Sequence, residues 1–368
     1  MNKNNNVDNK IVIYIIIFFV GCLGMYSLVR FSPELFTQEV VKVEKDVTVT
    51  DKGIADAVEN IYDAVVVVST YKDNSLYGSG TGFVYKEKGN KAYILTNNHV
   101  VSGGNKVNVT FTNGEIVETE VVGTDVLSDI AVLSVDKDKI IKVAKIGETE
   151  SIRVGDTTFA VGAPLDSVYS WTVTRGILSG KDRMIEVTLS DSSGDYVMKA
   201  LQTDAAINSG NSGGPLCDSN GSVIGITSLK LVDTSVEGMG FAIPIEIALE
   251  YATKLESGEK IIQPYLGVSM INVSDAYYYP QFYKLINENN ITNGVIIYEV
   301  EKNSPADKAG LKSNDIIIKI NDNKVTSVGY LRYYLYGHEV DEKVTITYIR
   351  DGKEKTTTVK LGSNNKTY

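Results

Sequence analysis

From Val65 to Pro244 the chain keeps breaking into short β-prone runs separated by turn residues, and this cadence limits its fold more than any other feature. Val65–Tyr71, Gly82–Lys86, Lys106–Phe111, Glu115–Val122 and Thr157–Val161 read as strands. Asn113-Gly114 between the third and fourth is a hairpin signal, because Asn and Gly accept the positive φ of a tight turn. Many short strands over such a stretch suit paired β-barrels. Helical spacing appears at the borders. Ile54, Ala57, Val58 and Ile61 predict a short opening helix. Pro244 at a first helical position, the amphipathic run Ile245–Tyr251 and a stop at Ser257-Gly258 predict a closing one.

The 368 residues suggest more than one domain. With 43% hydrophobic and 22% charged residues the chain can build ordinary cores. A net charge of −10 and the lack of any long Lys/Arg run argue against nucleic acid as a partner. No Cys/His cluster has ligand spacing, so neither a metal nor a cofactor is expected.

Residues 11–29 form an uncharged apolar run, long enough at about 1.5 Å per residue for a ~30 Å hydrocarbon core. Lys3 and Lys10 precede it, so the positive-inside rule puts residues 1–10 in the cytoplasm and the remainder outside. The expectation is a single-pass protein of the plasma (inner) membrane. A cleaved signal peptide is the rival, but no clear small-residue cleavage site follows the run. Residues 30–53 are polar and charged and read as a linker. Cys22 and Cys217 then fall in different compartments, which excludes a disulfide between them and leaves Cys217 as a small buried hydrophobe.

The chemistry concentrates in Asn208-Ser209-Gly210-Asn211-Ser212-Gly213-Gly214-Pro215-Leu216. A seryl hydroxyl is a poor nucleophile unless the backbone exposes it and a base takes its proton. Flanking glycines permit a tight turn and free N–H groups for a developing oxyanion. The base candidate is His99, just past the predicted strand Lys91–Thr96; the chain has only two histidines. His338 has no partner motif and reads as a surface residue. Spacing does not select the carboxylate: Asp125, Asp129, Asp136, Asp138, Asp156 and Asp166 all lie between His99 and Ser212. Asp129 leads because it heads the apolar run Ile130–Val135, where it can be shielded and aimed; Asp125 is next.

Thr96-Asn97-Asn98-His99-Val100-Val101, Ser128-Asp129-Ile130-Ala131-Val132-Leu133 and Thr203 to Leu216, in that order, resemble the HtrA (DegP-like) family of serine proteases. Thr174–Ser179 and Gly240–Pro244 extend the likeness, which covers roughly residues 54 to 365. The resemblance implies a mainly β chain: a chymotrypsin/trypsin-like double β-barrel protease domain over 54–258, with its active site between the halves, and an α+β PDZ domain over 262–365. It implies His99 as general base, Asp129 as its orienting carboxylate and Ser212 as nucleophile, with Gly210, Asn211 and Ser212 at the oxyanion hole. The order His, Asp, Ser is that of chymotrypsin-type enzymes. The substrate pocket would include Ile207, Thr227, Ser228 and Leu229, and without an acidic base it suits small or medium apolar side chains. Ser209 departs from the proline usual in the family.

In the PDZ-like part, Tyr265, Leu266, Gly267 and Val268 occupy the place of the loop that holds a peptide C-terminus. Asn314 stands where the family commonly has Gly, a position open to Asn in left-handed backbone. The tyrosine-rich insert Ala276–Tyr283 is the least familiar segment and is expected to serve ordinary packing, with an aromatic patch that grips unfolded chains as the alternative. By resemblance the partners are misfolded or unfolded exported proteins, C-terminal peptides, the membrane and two further copies in a homotrimer, in a quality-control or stress role. Two other readings stand beside this one: a peptide-binding chaperone or scaffold with a latent protease, and a signalling protease for one membrane partner.

Overall fold

The computed structural model describes residues 5–32, 54–162, 171–188, 195–208, 210–229, 238–289 and 291–364. It divides into two compact units, Met1–Asp51 and Lys52–Tyr368. The described part of the first unit is one helix, α1 (Asn5–Phe31), of which Ile11–Phe31 is long and apolar enough to cross a membrane. Most of the expected linker, Ser209, and residues 230–237 beside the expected pocket lie outside the described residues.

The second unit opens on α2 (Ala55–Tyr62), whose Ala57 and Ile61 are buried. A seven-stranded antiparallel sheet follows: β1 (Val65–Lys72), β2 (Ser75–Lys88), β3 (Lys91–Asn97), then α3 (Asn98–Val101), β4 (Lys106–Thr110), β5 (Ile116–Glu118), β6 (Glu120–Asp125) and β7 (Ile130–Asp136). Its spatial order is β5-β4-β1-β2-β3-β7-β6. The expected strand Glu115–Val122 is in fact two. Thr119 interrupts it, its N–H and Oγ1 both donating to Val107 O, so β5 stays on β4 while β6 crosses to β7.

The second half is a closed barrel of β8 (Thr157–Gly162), β9 (Thr172–Thr188), β10 (Asp195–Thr203), β11 (Pro215–Asp218), β12 (Val223–Thr227) and β13 (Gly240–Pro244). Helix α4 (Ile245–Glu256) follows at once. Pro244 is not its first helical residue. It keeps an extended ψ of 139° to pair with Gly225 and serves as the N-cap, while Gly258 turns the chain out at φ +71°. One core joins both halves: Phe83, Leu95 and Val132 from the first meet Phe159, Cys217 and Ile226 from the second under Ala248 and Leu255 of α4. At the rim, Glu256 accepts from Tyr85 Oη at 2.6 Å and from Lys86 Nζ at 2.7 Å, tying α4 to β2.

The third part runs through β14 (Gln263–Tyr265), β15 (Val268–Asn272), α5 (Pro280–Asn289), β16 (Val295–Val300), α6 (Pro305–Lys308), β17 (Ile316–Ile320), β18 (Asn323–Lys324), α7 (Val328–Tyr336), β19 (Lys343–Arg350), β20 (Lys353–Lys360) and β21 (Gly362–Asn364). Its main sheet has the order β15-β16-β17-β19-β20, with β18 on β17. Leu266, Ile297, Leu331, Leu335 and Ile346 share its core. Buried Asp315 is held by the Arg350 guanidinium through two contacts of 2.6 Å. Asn314 has φ +69°, the left-handed conformation anticipated for it. Helix α7 rests on β10, with Ser327 Oγ donating to Glu186 Oε1 at 2.7 Å.

Two expectations change here. Ala276 and Phe282 do pack, but Tyr277 and Tyr278 are 72% and 81% exposed, because the short turn of helix bearing them presents one face to the sheet and the other to solvent. His338 is half-buried, with Nδ1 2.7 Å from Glu342 Oε1 and Nε2 3.2 Å from Asn321 Nδ2. Glu339 N–H and then His338 hold the Glu342 carboxyl below its ordinary range.

Candidate active site

His99 is placed by the way β3 ends. Asn97 stays extended and Asn98 starts the single turn of α3, which leaves the imidazole 35% exposed. The turn is docked by Asp129: its backbone carbonyl accepts from Asn98 N–H and Asn97 Nδ2, both at 3.0 Å. Asp129 has φ +56°, a conformation that Asp and Asn tolerate better than other side-chain-bearing residues. Asp125 shapes the approach, its Oδ2 accepting from Ser128 N–H at 2.7 Å. Of the six sequence candidates Asp129 is the one brought to His99. Asp136 pairs with Lys91 and Asp156 with Arg153, Asp138 lies on a surface turn, and Asp166 is outside the described residues.

The Asp129 carboxylate is 1% exposed and fully engaged. His99 Nδ1 lies 2.8 Å from Oδ2 and 3.0 Å from Oδ1, His99 N–H donates to Oδ1 at 3.1 Å, and Ser228 Oγ donates to Oδ2 at 3.0 Å. A carboxylate accepting at Nδ1 selects the tautomer with the proton on Nδ1 and the lone pair on Nε2.

Ser212 is 3% exposed in a loop held from two sides. Thr81 Oγ1 donates to Gly210 O at 2.6 Å, Thr227 Oγ1 to Asn211 O at 2.6 Å, and Thr81 N–H to Ser212 O at 2.9 Å. Gly210 and Gly213 take φ +100° and +83°; a Cβ on Gly213 would lie 2.2 Å from Thr81 O. Asn211 N–H donates inward to Asn208 O at 3.0 Å, so of the three residues expected at the oxyanion hole this one turns away. The N–H groups of Gly210 and Ser212 have no acceptor among the described residues. Ser212 Oγ accepts from Leu229 N–H at 3.1 Å, and among the described residues no hydrogen bond joins it to His99.

Two matches to known families accompany this geometry. Residues 80–226 match the trypsin-like peptidase domain and residues 264–361 the PDZ domain. The serine protease Do-like HtrB of Bacillus subtilis (strain 168) is 41% identical over 323 residues, covering 83% of this chain and 69% of the relative. The serine protease Do-like HtrA of Lactococcus lactis subsp. cremoris (strain MG1363) is 37% identical over 346 residues, 88% of this chain and 84% of the relative. The chain belongs to the HtrA family of serine proteases. Among solved structures, the HtrA-type protease AlgW with decapeptide superposes at a TM-score of 0.66 and 27% identity, over 85% of this chain and 99% of that one. The serine endoprotease from Yersinia pestis gives 0.64 and 28%, over 85% and 98%.

Several side chains of this HtrA-family site stand in contacts that the sequence reading did not give them. Ser228, expected in the pocket wall, turns its hydroxyl to Asp129, and Thr227 directs its own into the nucleophile loop. Ile207 packs with Leu178, Leu201 and Ile224, and Leu229 lies against that cluster. Asn97 and Thr81 were given no role there, although Asn97 sits inside the very motif that revealed His99. Ser228→Ala is expected to lower kcat about tenfold, since a hydrogen bond to a charged group contributes roughly 1.5 kcal/mol. Steady-state kinetics check this, and an unchanged kcat would remove Ser228 from the machinery.

Two other potential nucleophiles of the protease domain are kept unreactive. Burial, then the charges of Asp129 and Asp125, push the Tyr196 phenol up, and burial raises the Cys217 thiol well above its ordinary value. Neither can compete as a nucleophile near neutral pH. Among the described residues no group of three or more His, Cys, Asp or Glu side chains is placed to hold a metal ion. In the PDZ domain, Leu266 O accepts from Ala306 N–H and Gly267 O from Glu301 N–H, both at 2.9 Å. The planar trans amides therefore turn the N–H groups of Gly267 and Val268 the opposite way.

Proposed function

We propose that this chain is an endopeptidase anchored by its N-terminal helix in the plasma (inner) membrane, with the protease and PDZ domains on the extracytoplasmic side. Its substrates are unfolded or misfolded exported proteins, and peptide C-termini docking at Tyr265–Val268 regulate it. Family kinship supports a homotrimer as the working unit. The observation that carries the chemical reading is the buried Asp129 carboxylate held to His99 Nδ1 at 2.8 Å beside the Ser212 loop.

In this reading Ser212 Oγ attacks the scissile carbonyl while His99 Nε2 takes its proton. Asp129 keeps the imidazole in the right tautomer and stabilises the imidazolium that forms. The N–H groups of Gly210 and Ser212 receive the oxyanion. The tetrahedral intermediate collapses, His99 returns the proton to the leaving amine, and an acyl-enzyme remains on Ser212. Water, deprotonated by His99, then releases it. Ile207 and Leu229 suit a small or medium apolar side chain before the cut.

The bond from Leu229 N–H to Ser212 Oγ favours a second reading, in which this geometry is a resting one. The attacking oxygen then has to leave Leu229 for His99, and peptide binding at the PDZ domain is the natural trigger. One experiment addresses both. The full chain in lipid vesicles is given a reduced, carboxymethylated protein or the same protein native, with and without peptides ending in an apolar residue and a free carboxylate. Degradation of the unfolded form only, at least about fivefold faster with peptide, is expected. Peptide-independent degradation would sink the regulatory part. Binding of unfolded protein without cleavage, unaltered by Ser212→Ala, would establish the scaffold alternative.

A further inference from the structure

We propose that Thr81 is a positioning residue that sets the oxyanion pocket from the opposite half of the protease. Thr81 lies on β2 of the first sheet, is fully buried, and touches the nucleophile loop of the second barrel at two places. Its Oγ1 donates to Gly210 O at 2.6 Å and its N–H to Ser212 O at 2.9 Å. The carbonyls of the nucleophile residue and of the residue two before it are thus held by one side chain and its own backbone. Its carbonyl in turn accepts from Thr96 Oγ1 at 2.7 Å, and Thr96 lies on β3, three residues before His99.

The consequence follows from the planarity of the amide. In a trans peptide the C=O of one residue and the N–H of the next point in opposite directions. Drawing Gly210 O towards Thr81 sends Asn211 N–H the other way, where Asn208 O meets it. Thr227 draws Asn211 O inward, which turns Ser212 N–H outward. Thr81 draws Ser212 O, which sends Gly213 N–H to Thr227 O. The alternation leaves Ser212 N–H for the oxyanion and withdraws that of Asn211, while Gly210 N–H has no acceptor among the described residues. Glycine at 210 makes the arrangement accessible at φ +100°, but it also leaves the loop free to adopt others, so the hydroxyl of Thr81 selects this one. Oxyanion donors act through preorganisation, so a group that orients them affects the rate rather than ground-state binding.

Thr81→Val keeps the shape and removes the donor; Thr81→Ser keeps the donor. In the full chain, Thr81→Val is expected to lower kcat roughly thirtyfold with KM within about twofold, less than direct loss of an oxyanion donor. Affinity for a peptidyl aldehyde, whose adduct with Ser212 carries the oxyanion, should fall by the same factor. Thr81→Ser should stay within about threefold of wild type on both readouts. Should Thr81→Val lack cooperative unfolding, Thr81→Cys carries the same comparison, its weaker S–H donor placing it between serine and valine. An unchanged kcat in the variant lacking the donor, a loss confined to KM, or equal losses in Val and Ser would overturn the proposal. It rests on Ser212 as the nucleophile. That reading fails separately, as wild-type protein that a fluorophosphonate does not label at Ser212, and its failure overturns both.

Discussion

Ser212→Ala is expected to reduce kcat by about 10⁶ and to abolish labelling by a fluorophosphonate, with the fold intact. The change removes one oxygen from a residue that is 3% exposed. The loop is held through backbone carbonyls, at Gly210, Asn211 and Ser212, none of which the substitution touches. Leu229 N–H loses its acceptor, a local cost of about 1 kcal/mol or less if water reaches it. The measurement is peptide hydrolysis beside the intact mass of probe-treated protein. A variant retaining more than about a thousandth of the wild-type rate, or a probe adduct on another residue, would sink the assignment of Ser212.

Asp129→Asn is expected to lower kcat about 10⁴-fold. Asn is the informative replacement because φ at this position is +56°, where a side chain other than Asp or Asn adds strain. The backbone carbonyl of Asp129 still receives Asn98 N–H and Asn97 Nδ2, so α3 stays docked. What changes is the acceptor at His99 Nδ1. An amide can present its NH₂ there, which favours the wrong tautomer and puts the proton on Nε2, where the lone pair is required. Thermal unfolding close to wild type with the rate collapsed is the expected pair of results. A loss smaller than about tenfold would mean that another carboxylate orients the imidazole, and Asp125 would be the first to replace.

These two substitutions divide the site by how it could be read. Ser212 and His99 announce themselves locally: a serine among glycines and a histidine past a strand end carry their chemistry in the neighbouring residues. The carboxylate did not. Six of the ten aspartates in the interval were candidates; spacing did not choose among them, and Asp129 was put first only by the apolar run it heads and by the likeness to a family. The structure separates them because β7 pairs with β3, so that the turn from β6 that ends in Asp129 meets Asn97 and Asn98, while Asp136 emerges at the far end of β7 against Lys91. Ser228 shows the same limit from the other side. The family resemblance implied a pocket wall for it, yet its hydroxyl reaches a carboxylate 99 positions earlier in the chain.

The strand pattern was legible where hydrophobic periodicity met a local turn signal, as at Asn113-Gly114, whose Gly has φ +81°. It failed where a side chain far along the chain made the decision. Glu115–Val122 looked continuous because β-branched residues recur through it with no Gly, Pro, Asn or Asp to break it, and the two bonds of Thr119 to Val107 O divide it. Pro244 fitted a helix start by its fixed φ, but its pairing with Gly225 made it the end of a strand.

The sequence by itself put forward Ser212 and His99 as the candidate nucleophile and base, and gave the alternation of short strands and turns, the left-handed Asn314 and the apolar N-terminal helix, since each depends on interactions within a few residues. Tertiary structure alone decided which aspartate faces His99, that Ser228 supports it, that Asn211 N–H turns inward, and that Thr81 holds the nucleophile loop from the other half. The contacts of Asp129, Ser228 and Thr81 are hydrogen bonds between residues 30 to 131 positions apart, and the bond from Thr81 to Gly210 O orients the amide that carries Asn211 N–H. Such bonds are directional and short in range, so they exist only once folding of each half and packing of the two has brought donor and acceptor within about 3 Å.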